Sequence, residues 1–282
     1  MRPEAATAID AVRRGLTLAE AHPGATDVTS KAGRDVVTAT DVAVEDLIRR
    51  HLQSSFSYPV VGEERGGEAP GDGTGYWLVD PICGTRNFAS GTPLYSVNLA
   101  FIEGGEVKVA TVGDPSRNEV VYAERGGGAW ALRGGQHTRL NVSDESRTLV
   151  IEEGKSQGEP REDAARFMAD VVRADRWDFR SLGTTLAMPY LAAGRISAYV
   201  VFHVSTVHSA AGSLLVSEAG GILSDVQGRP WTLQSDSLLF SADAELHEEL
   251  LSLAREARPR AGDDADPEAP VAALLVTHAE QA

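Results

Sequence analysis

The stretch WLVDPICGTRNF, residues 77–88, constrains the fold more than any other part of this 282-residue chain. Apolar residues typical of a buried strand lead into Asp80-Pro81, and a Gly-Thr turn then opens a helix. Strand, acid, tight turn and helix follow one another in α/β enzymes where an anion or metal site is built. The turn also contains Cys83, the only cysteine of the chain, where such a site would use a carboxylate.

Composition excludes several classes of protein. A net charge of −15 disfavours nucleic acid and anionic membranes as partners, because both require a basic face. A single cysteine excludes an internal disulfide framework and suits a reducing compartment. No apolar run approaches the ~20 residues that span a bilayer, and the N-terminal residues lack the apolar core of a signal peptide. The sequence therefore predicts a cytoplasmic protein with neither a nucleic-acid nor a membrane partner.

Alternating apolar patterns predict an α/β protein with mixed sheets. Residues 1–146 form a predicted N-terminal α+β half, and residues 147–257 form a C-terminal α/β half. Residues 258–282 begin with a stretch rich in proline and acids that predicts a disordered tail. Near the N-terminus, residues 35–56 place apolar side chains on one helical face, with Thr40 or Asp41 as the N-cap.

Four segments in a fixed order resemble the inositol monophosphatase superfamily of Mg-dependent sugar phosphatases. They are Lys31 with DVVTATD (35–41), VGEE (61–64), DPICGTRNF (80–88) and VHSAAGSLLVSEAGG (207–221). The resemblance covers nearly the whole chain, from about residue 8 to residue 255. It implies a layered αβαβα sandwich and, by analogy, a homodimer.

The resemblance also implies a set of metal ligands, of which two are replaced. Glu63, Asp80, the Ile82 carbonyl and Thr85 match the family's pattern. Cys83 occupies the second acid position of the family's DPIDGT motif, and His208 occupies the Asp position of WDxAAG. Both lost carboxylates serve the same metal in the family, so Cys83 and His208 are expected to face each other. Val207 replaces the Trp of that motif, and Val201 replaces an acid that helps to hold inositol.

A thiol and an imidazole at partner positions predict a Cys83–His208 nucleophilic pair that needs no metal. The helix that follows Cys83 should lower the pKa of its thiol, and the amides of Gly84 and Thr85 would form an oxyanion hole. Asp114 is preferred over Asp80 as the acid that orients His208, because an ionised Asp80 would disfavour a neighbouring thiolate. Glu63 and Asp80 stay as residual metal candidates.

This catalytic set resembles the Dieckmann cyclases of tetramic-acid and pyridone antibiotic biosynthesis, which use a Cys, a His and an Asp. The resemblance implies that Cys83 captures a β-ketoacyl-aminoacyl thioester from a peptidyl carrier protein, with no cofactor. The pocket around Val201 and Val207 would then accept an elongated apolar chain. Three alternatives stay open: a divalent-metal-dependent sugar or inositol phosphate phosphatase with an adapted site, a Zn or Mn site on Cys83, His208 and Asp80, and a non-catalytic relic of the fold.

Overall fold

The computed structural model describes residues 1–257 except residues 23, 25–27, 31–35, 72 and 155–158. The predicted disordered tail, residues 258–282, lies outside the described residues, as does Lys31. Among the described residues, no helix is long and apolar enough to cross a bilayer.

Seven α-helices and fourteen strands occur in the described part of the chain. The helices are α1 Pro3–Glu20, α2 Ala39–Gln53, α3 Thr85–Ala89, α4 Glu159–Ala174, α5 Ala187–Ala192, α6 Thr206–Glu218 and α7 Ala244–Glu256. The strands of the first half are β1 Val28–Ser30, β2 Val36–Thr38, β3 Val60–Gly62, β4 Tyr76–Cys83, β5 Ser96–Glu103, β6 Glu106–Asp114, β7 Glu119–Glu124, β8 Ala129–Arg133 and β9 Gln136–Arg139. The strands of the second half are β10 Thr148–Glu152, β11 Asp178–Arg180, β12 Ala198–Val201, β13 Ile222–Ser224 and β14 Leu238–Ser241.

The strands form two large mixed sheets and one short hairpin. The larger sheet has seven strands in the order β3-β4-β5-β6-β7-β8-β9, with β3 parallel to β4 and the others antiparallel. The smaller sheet has the order β11-β10-β12-β14-β13 and combines parallel and antiparallel pairs. The two sheets divide near residue 147. The division into an N-terminal α+β half, 1–146, and a C-terminal α/β half, 147–257, stays a prediction.

Three apolar clusters stack the helices and sheets into layers. α1 and α2 cover one face of the seven-stranded sheet, and α4 and α7 cover the outer face of the five-stranded sheet. α5 and α6 lie between the sheets, where their apolar residues meet side chains from both. The predicted αβαβα sandwich with mixed sheets is therefore confirmed.

The start of α2 differs from the sequence-based prediction. Thr38, rather than Thr40 or Asp41, is the N-cap, and Asp41 completes a capping box with it. Asp41 is 1% exposed, and its second carboxylate oxygen accepts a hydrogen bond of 3.0 Å from the Thr85 hydroxyl. The box thus joins the start of α2 to the turn that follows β4, and a polar residue is buried because all of its acceptor groups are used.

Close packing of α5 on α6 requires Gly212. A Cβ atom at this position would lie 2.2 Å from Sδ and 2.6 Å from Cβ of Met188. We expect Gly212→Ala to lower the free energy of unfolding by about 1–2 kcal/mol, because overpacking outweighs the roughly 1 kcal/mol gain in helix propensity. Urea denaturation measures this change.

Two further variants separate packing from propensity. Ser217→Ala lies on the exposed side of the same helix and should change stability by no more than about 0.5 kcal/mol. Adding Met188→Ala to Gly212→Ala should remove the overlap, so that the two substitutions are less than additive. Additive losses would contradict the packing explanation.

Candidate functional site

A bulge at the end of β4 places Asp80 and Cys83 on the same side of the sheet. Asp80 pairs with Asn98 on β5, but Cys83 pairs with Ser96, so three steps on β4 oppose two on β5. In a regular strand, residues three apart point to opposite faces, and one extra residue reverses that alternation. The bulge therefore lets a carboxylate and a thiol from one strand reach the same small volume.

Asp80 is completely buried, and polar groups surround it. Its Oδ2 atom accepts a hydrogen bond of 2.8 Å from Nδ1 of His208 and one of 3.1 Å from Nδ2 of Asn98. Within the described part of the chain, its Oδ1 atom is buried and has no hydrogen-bond partner. An orphaned carboxylate oxygen inside a protein is costly, so this atom marks a place where a ligand would be stabilising.

Two threonines of the second half hold Cys83 and its backbone. The Sγ atom accepts hydrogen bonds from the hydroxyl of Thr185 at 2.9 Å and from its amide at 3.4 Å. Thr184 donates from its hydroxyl to the carbonyl of Cys83 at 2.9 Å. The turn continues through Gly84, whose φ of 100° favours glycine and whose position leaves no room for a Cβ next to the carbonyl of Leu94.

His208 enters the site from the first turn of α6. Its Nδ1 atom lies 2.8 Å from Asp80 Oδ2 and 3.9 Å from Glu63 Oε2. One ligand atom each from Asp80, Cys83 and His208 lie within 4.8 Å of one another. The predicted meeting of Cys83 and His208 is thus found in the structure, and it joins strands of the first half to a helix of the second.

The charges of Asp80 and His208 stabilise each other. Burial alone would raise the pKa of Asp80, but the charge of His208 and its hydrogen bond hold that pKa below its ordinary value. Burial alone would lower the pKa of His208, and the Asp80 carboxylate raises it well above the ordinary value. The site thus contains a buried carboxylate–imidazolium pair.

The thiol of Cys83 does not behave as the sequence predicts. Burial and the negative charge of Asp80 raise its pKa, and His208 and Thr185 offset this only in part. Cys83 ends β4 with Gly84 between it and the five-residue helix α3, and its side chain contacts Thr185 instead of the start of that helix. The expected lowering of its pKa is therefore wrong.

The preference for Asp114 as the partner of His208 is also wrong. Asp114 ends β6, where its two oxygens accept hydrogen bonds from Ser116 at 2.6 Å and Tyr190 at 3.0 Å. Asp80 has the role predicted for Asp114, because its Oδ2 lies 2.8 Å from Nδ1 of His208; the charge of His208 offsets only part of the repulsion between Asp80 and a Cys83 thiolate.

The other predicted site residues lie at different depths. Thr85 donates its hydroxyl to Asp41 and to the carbonyl of Ile82, at 3.0 and 3.1 Å. Val201 is buried in the core between the sheets, and Val207 packs against that core. Their binding of a substrate stays a prediction, as does an oxyanion hole formed by the amides of Gly84 and Thr85.

Three polar residues at the site were missed by the sequence reasoning. Asn98 donates to Asp80 and also, at 3.0 Å, to the hydroxyl of Thr185, which in turn donates to Cys83. Thr184 fixes the backbone beside the thiol. A signal was present in the sequence: Asn98 interrupts the apolar strand SVNLAFI, and the threonines belong to RSLGTTL.

The Asp80–His208 pair makes stability depend on pH. A raised histidine pKa adds stability that is complete below the unfolded value of 6.5 and disappears as pH rises through the folded pKa, whereas the lowered Asp80 pKa adds stability above 3.8. We expect the loss caused by His208→Asn, measured by urea denaturation in EDTA, to be largest between these values. Above pH 6.5 the loss should shrink by at most about 1.4 kcal/mol per pH unit.

Ser209→Ala, in the same helical turn, provides the control because it removes a hydrogen bond to Ser205 and no titrating group. Its effect on stability should not vary with pH. If the effect of His208→Asn were equally flat from pH 5 to pH 9, the ion pair would not contribute to folding.

Comparison with known proteins places this geometry in a family. The model of the inositol monophosphatase family matches residues 2–258. The fructose-1,6-bisphosphatase/inositol-1-monophosphatase of Thermotoga maritima is 32% identical over 83% of this chain and 89% of its own length. Nus factor SuhB of Pasteurella multocida is 34% identical over 86% of this chain and 92% of its own length. The structure of a Thermotoga maritima IMPase superimposes with a TM-score of 0.77 at 30% identity, and the match covers 88% of this chain and 95% of the other.

These relatives overturn the expectation of a Dieckmann cyclase in antibiotic biosynthesis. Proteins that match more than four-fifths of the chain have the names of a phosphatase and of a Nus factor, not of a cyclase. The expected partners are overturned with it, both the carrier-protein-bound substrate and the exclusion of nucleic acid. A thiol and an imidazole at these two positions are able to bind a cation as well as to take part in covalent chemistry. The match over residues 2–258 and the shared architecture establish that this chain belongs to the inositol monophosphatase family.

Proposed function

We propose that this chain hydrolyses phosphate monoesters of small sugars or inositols with a divalent cation bound in an adapted site. In this reaction water attacks phosphorus, the ester P–O bond breaks, and inorganic phosphate and an alcohol leave. The observation that carries the proposal is the buried Oδ1 atom of Asp80, which has no hydrogen-bond partner in the described part of the chain, in a cluster where Asp80, Cys83 and His208 each place a ligand atom within 4.8 Å of the others. The 32% identity to a bisphosphatase/monophosphatase supports it.

Charge explains why a cation is required. Phosphate monoesters carry negative charge, and Asp80 and Glu63 place two carboxylates at this site, with His208 the basic group 2.8 Å from one of them. A phosphate group would be repelled unless a cation bound first and reversed the local charge. The carboxylates then serve to hold the cation, which supplies Lewis-acid polarisation of the phosphoryl group.

The ligands do not fit the magnesium cluster that the family resemblance implies. Glu63, Asp80, Ile82 and Thr85 retain the oxygen ligands of that pattern, whereas Cys83 and His208 put sulfur and nitrogen at the two positions of lost carboxylates. Magnesium requires hard oxygen ligands in near-octahedral geometry. The adapted site therefore calls for another cation or for fewer ions.

Phosphate release tests the proposal. The full chain is incubated with sugar and inositol monophosphates in EDTA and then with added Mg²⁺, Mn²⁺ or Zn²⁺. We expect release only with an added cation, and we expect Asp80→Asn to lower it at least about a hundredfold, because a bound cation contributes several kcal/mol to such a reaction. Asp46→Asn, at a half-buried position of α2 paired with Arg65, is the control and should leave the rate unchanged.

A second candidate is a binding role without hydrolysis. The same two replacements favour it, together with relatives that are named as Nus factors. This candidate predicts no phosphate release with any cation. It also predicts that the Cys83→Ala and His208→Ala variants each retain the biological role of the protein. Cation-dependent release that is lost in Asp80→Asn would exclude this candidate.

A further inference from the structure

Cys83 and His208 bring two ligand types that discriminate between cations. Three ligand atoms lie within 4.8 Å of one another: Sγ of Cys83, a ring nitrogen of His208 and a carboxylate oxygen of Asp80. Thiolate and imidazole favour zinc and related transition metals, whereas magnesium and calcium favour oxygen ligands. A cation bound by this trio would therefore be selected by chemistry different from that of an all-carboxylate site.

We propose that Cys83, His208 and Asp80 bind one zinc-like divalent cation in preference to magnesium. The inference rests on the proposed phosphatase function and names the cation of that site. It would give a ligand to Oδ1 of Asp80, a buried atom that has no hydrogen-bond partner among the described residues. It also assigns a role to Cys83, which is the only cysteine in the chain.

The spacing of the trio matches a zinc site after a small adjustment. Tetrahedral zinc with ligands at 2.0–2.3 Å separates those ligand atoms by roughly 3.3–3.6 Å. Nδ1 of His208 and Oδ2 of Asp80 are 2.8 Å apart and would separate slightly, while the widest pair of the cluster would contract from at most 4.8 Å. Binding would release the His208 ring proton and the Cys83 thiol proton to solvent, because both ligands coordinate in their deprotonated forms. Glu63, whose Oε2 is 3.9 Å from His208, is close enough to complete the coordination, as is a water molecule.

Neighbouring groups hold two of the ligand side chains in place by hydrogen bonds. Asn98 donates to Asp80 and Thr185 donates to Cys83, so a carboxylate and a sulfur ligand each have a fixed partner behind them. Such outer contacts orient ligands and raise metal affinity. Because Asp80 and Cys83 lie on β4 and His208 on α6, the trio is preorganised by the core between the sheets.

Cobalt and zinc titrations test the inference without reference to activity. The full chain, stripped with EDTA and dialysed, is titrated with Co²⁺, and the near-ultraviolet thiolate-to-cobalt charge-transfer absorption is recorded. We expect one Co²⁺ per chain with this absorption, displaced by Zn²⁺ but not by a large excess of Mg²⁺. Cys83→Ser should abolish the absorption, and competition with a chromophoric chelator should show zinc affinity weakened by more than about tenfold.

Two further variants make the result specific. His22→Gln removes a surface histidine that follows α1 and should bind zinc like the unaltered protein. The double variant Cys83→Asp/His208→Asp supplies oxygen ligands and should shift the preference toward Mg²⁺. Circular dichroism confirms that each variant is folded.

Opposite results separate the two proposals. Zinc binding that is unchanged in Cys83→Ser, or no charge-transfer absorption with bound Co²⁺, would overturn the zinc-like site. Cysteine-dependent zinc binding with no phosphate release from any ester would leave the zinc-like site standing and refute the phosphatase. Magnesium-dependent phosphate release that Cys83→Ser does not alter would refute the zinc-like site and leave the phosphatase proposal standing.

Discussion

The buried contact between Asp80 and His208 is the interaction on which the site depends. A carboxylate with no exposure to water is tolerated only where an opposite charge and hydrogen bonds compensate for lost hydration. His208 supplies that charge from α6, across the core that separates the two sheets. Removing either partner would leave the other charge buried and uncompensated. Both side chains therefore contribute to the stability of the fold.

The same region fixes how the two halves meet. Asn87 donates from its side chain to the carbonyls of Leu94 and Leu182, and Thr184 donates to the carbonyl of Cys83. The contacts of Asn87 with Leu182 and of Thr184 with Cys83 connect residues 95 and 101 positions apart in the chain, so the turn after β4 is shaped by the second half. The position of the thiol is therefore a tertiary property, set by groups far away in sequence.

Sequence patterns were sufficient for the layers of the fold and for the central pair of the site. Ordered motifs predicted the αβαβα sandwich, and the matching of Cys83 and His208 to partner positions predicted their proximity. The choice between Asp80 and Asp114 could not be made from sequence, because it depends on the protonation of His208 and on a bulge that turns Cys83 toward Asp80. The thiol's raised pKa was missed for the same reason, since burial depth is set by the fold as a whole.

The residue at position 208 also determines the electrostatic energy of the buried site around Asp80. Two carboxylates that face each other in a buried pocket repel each other, so a site built only of acids is destabilised unless a cation is bound. Here the imidazolium of His208 neutralises Asp80 within the polypeptide itself. At the proposed cation site, binding would therefore compete with an internal counter-ion, whereas in an all-acid site it would relieve repulsion between two carboxylates.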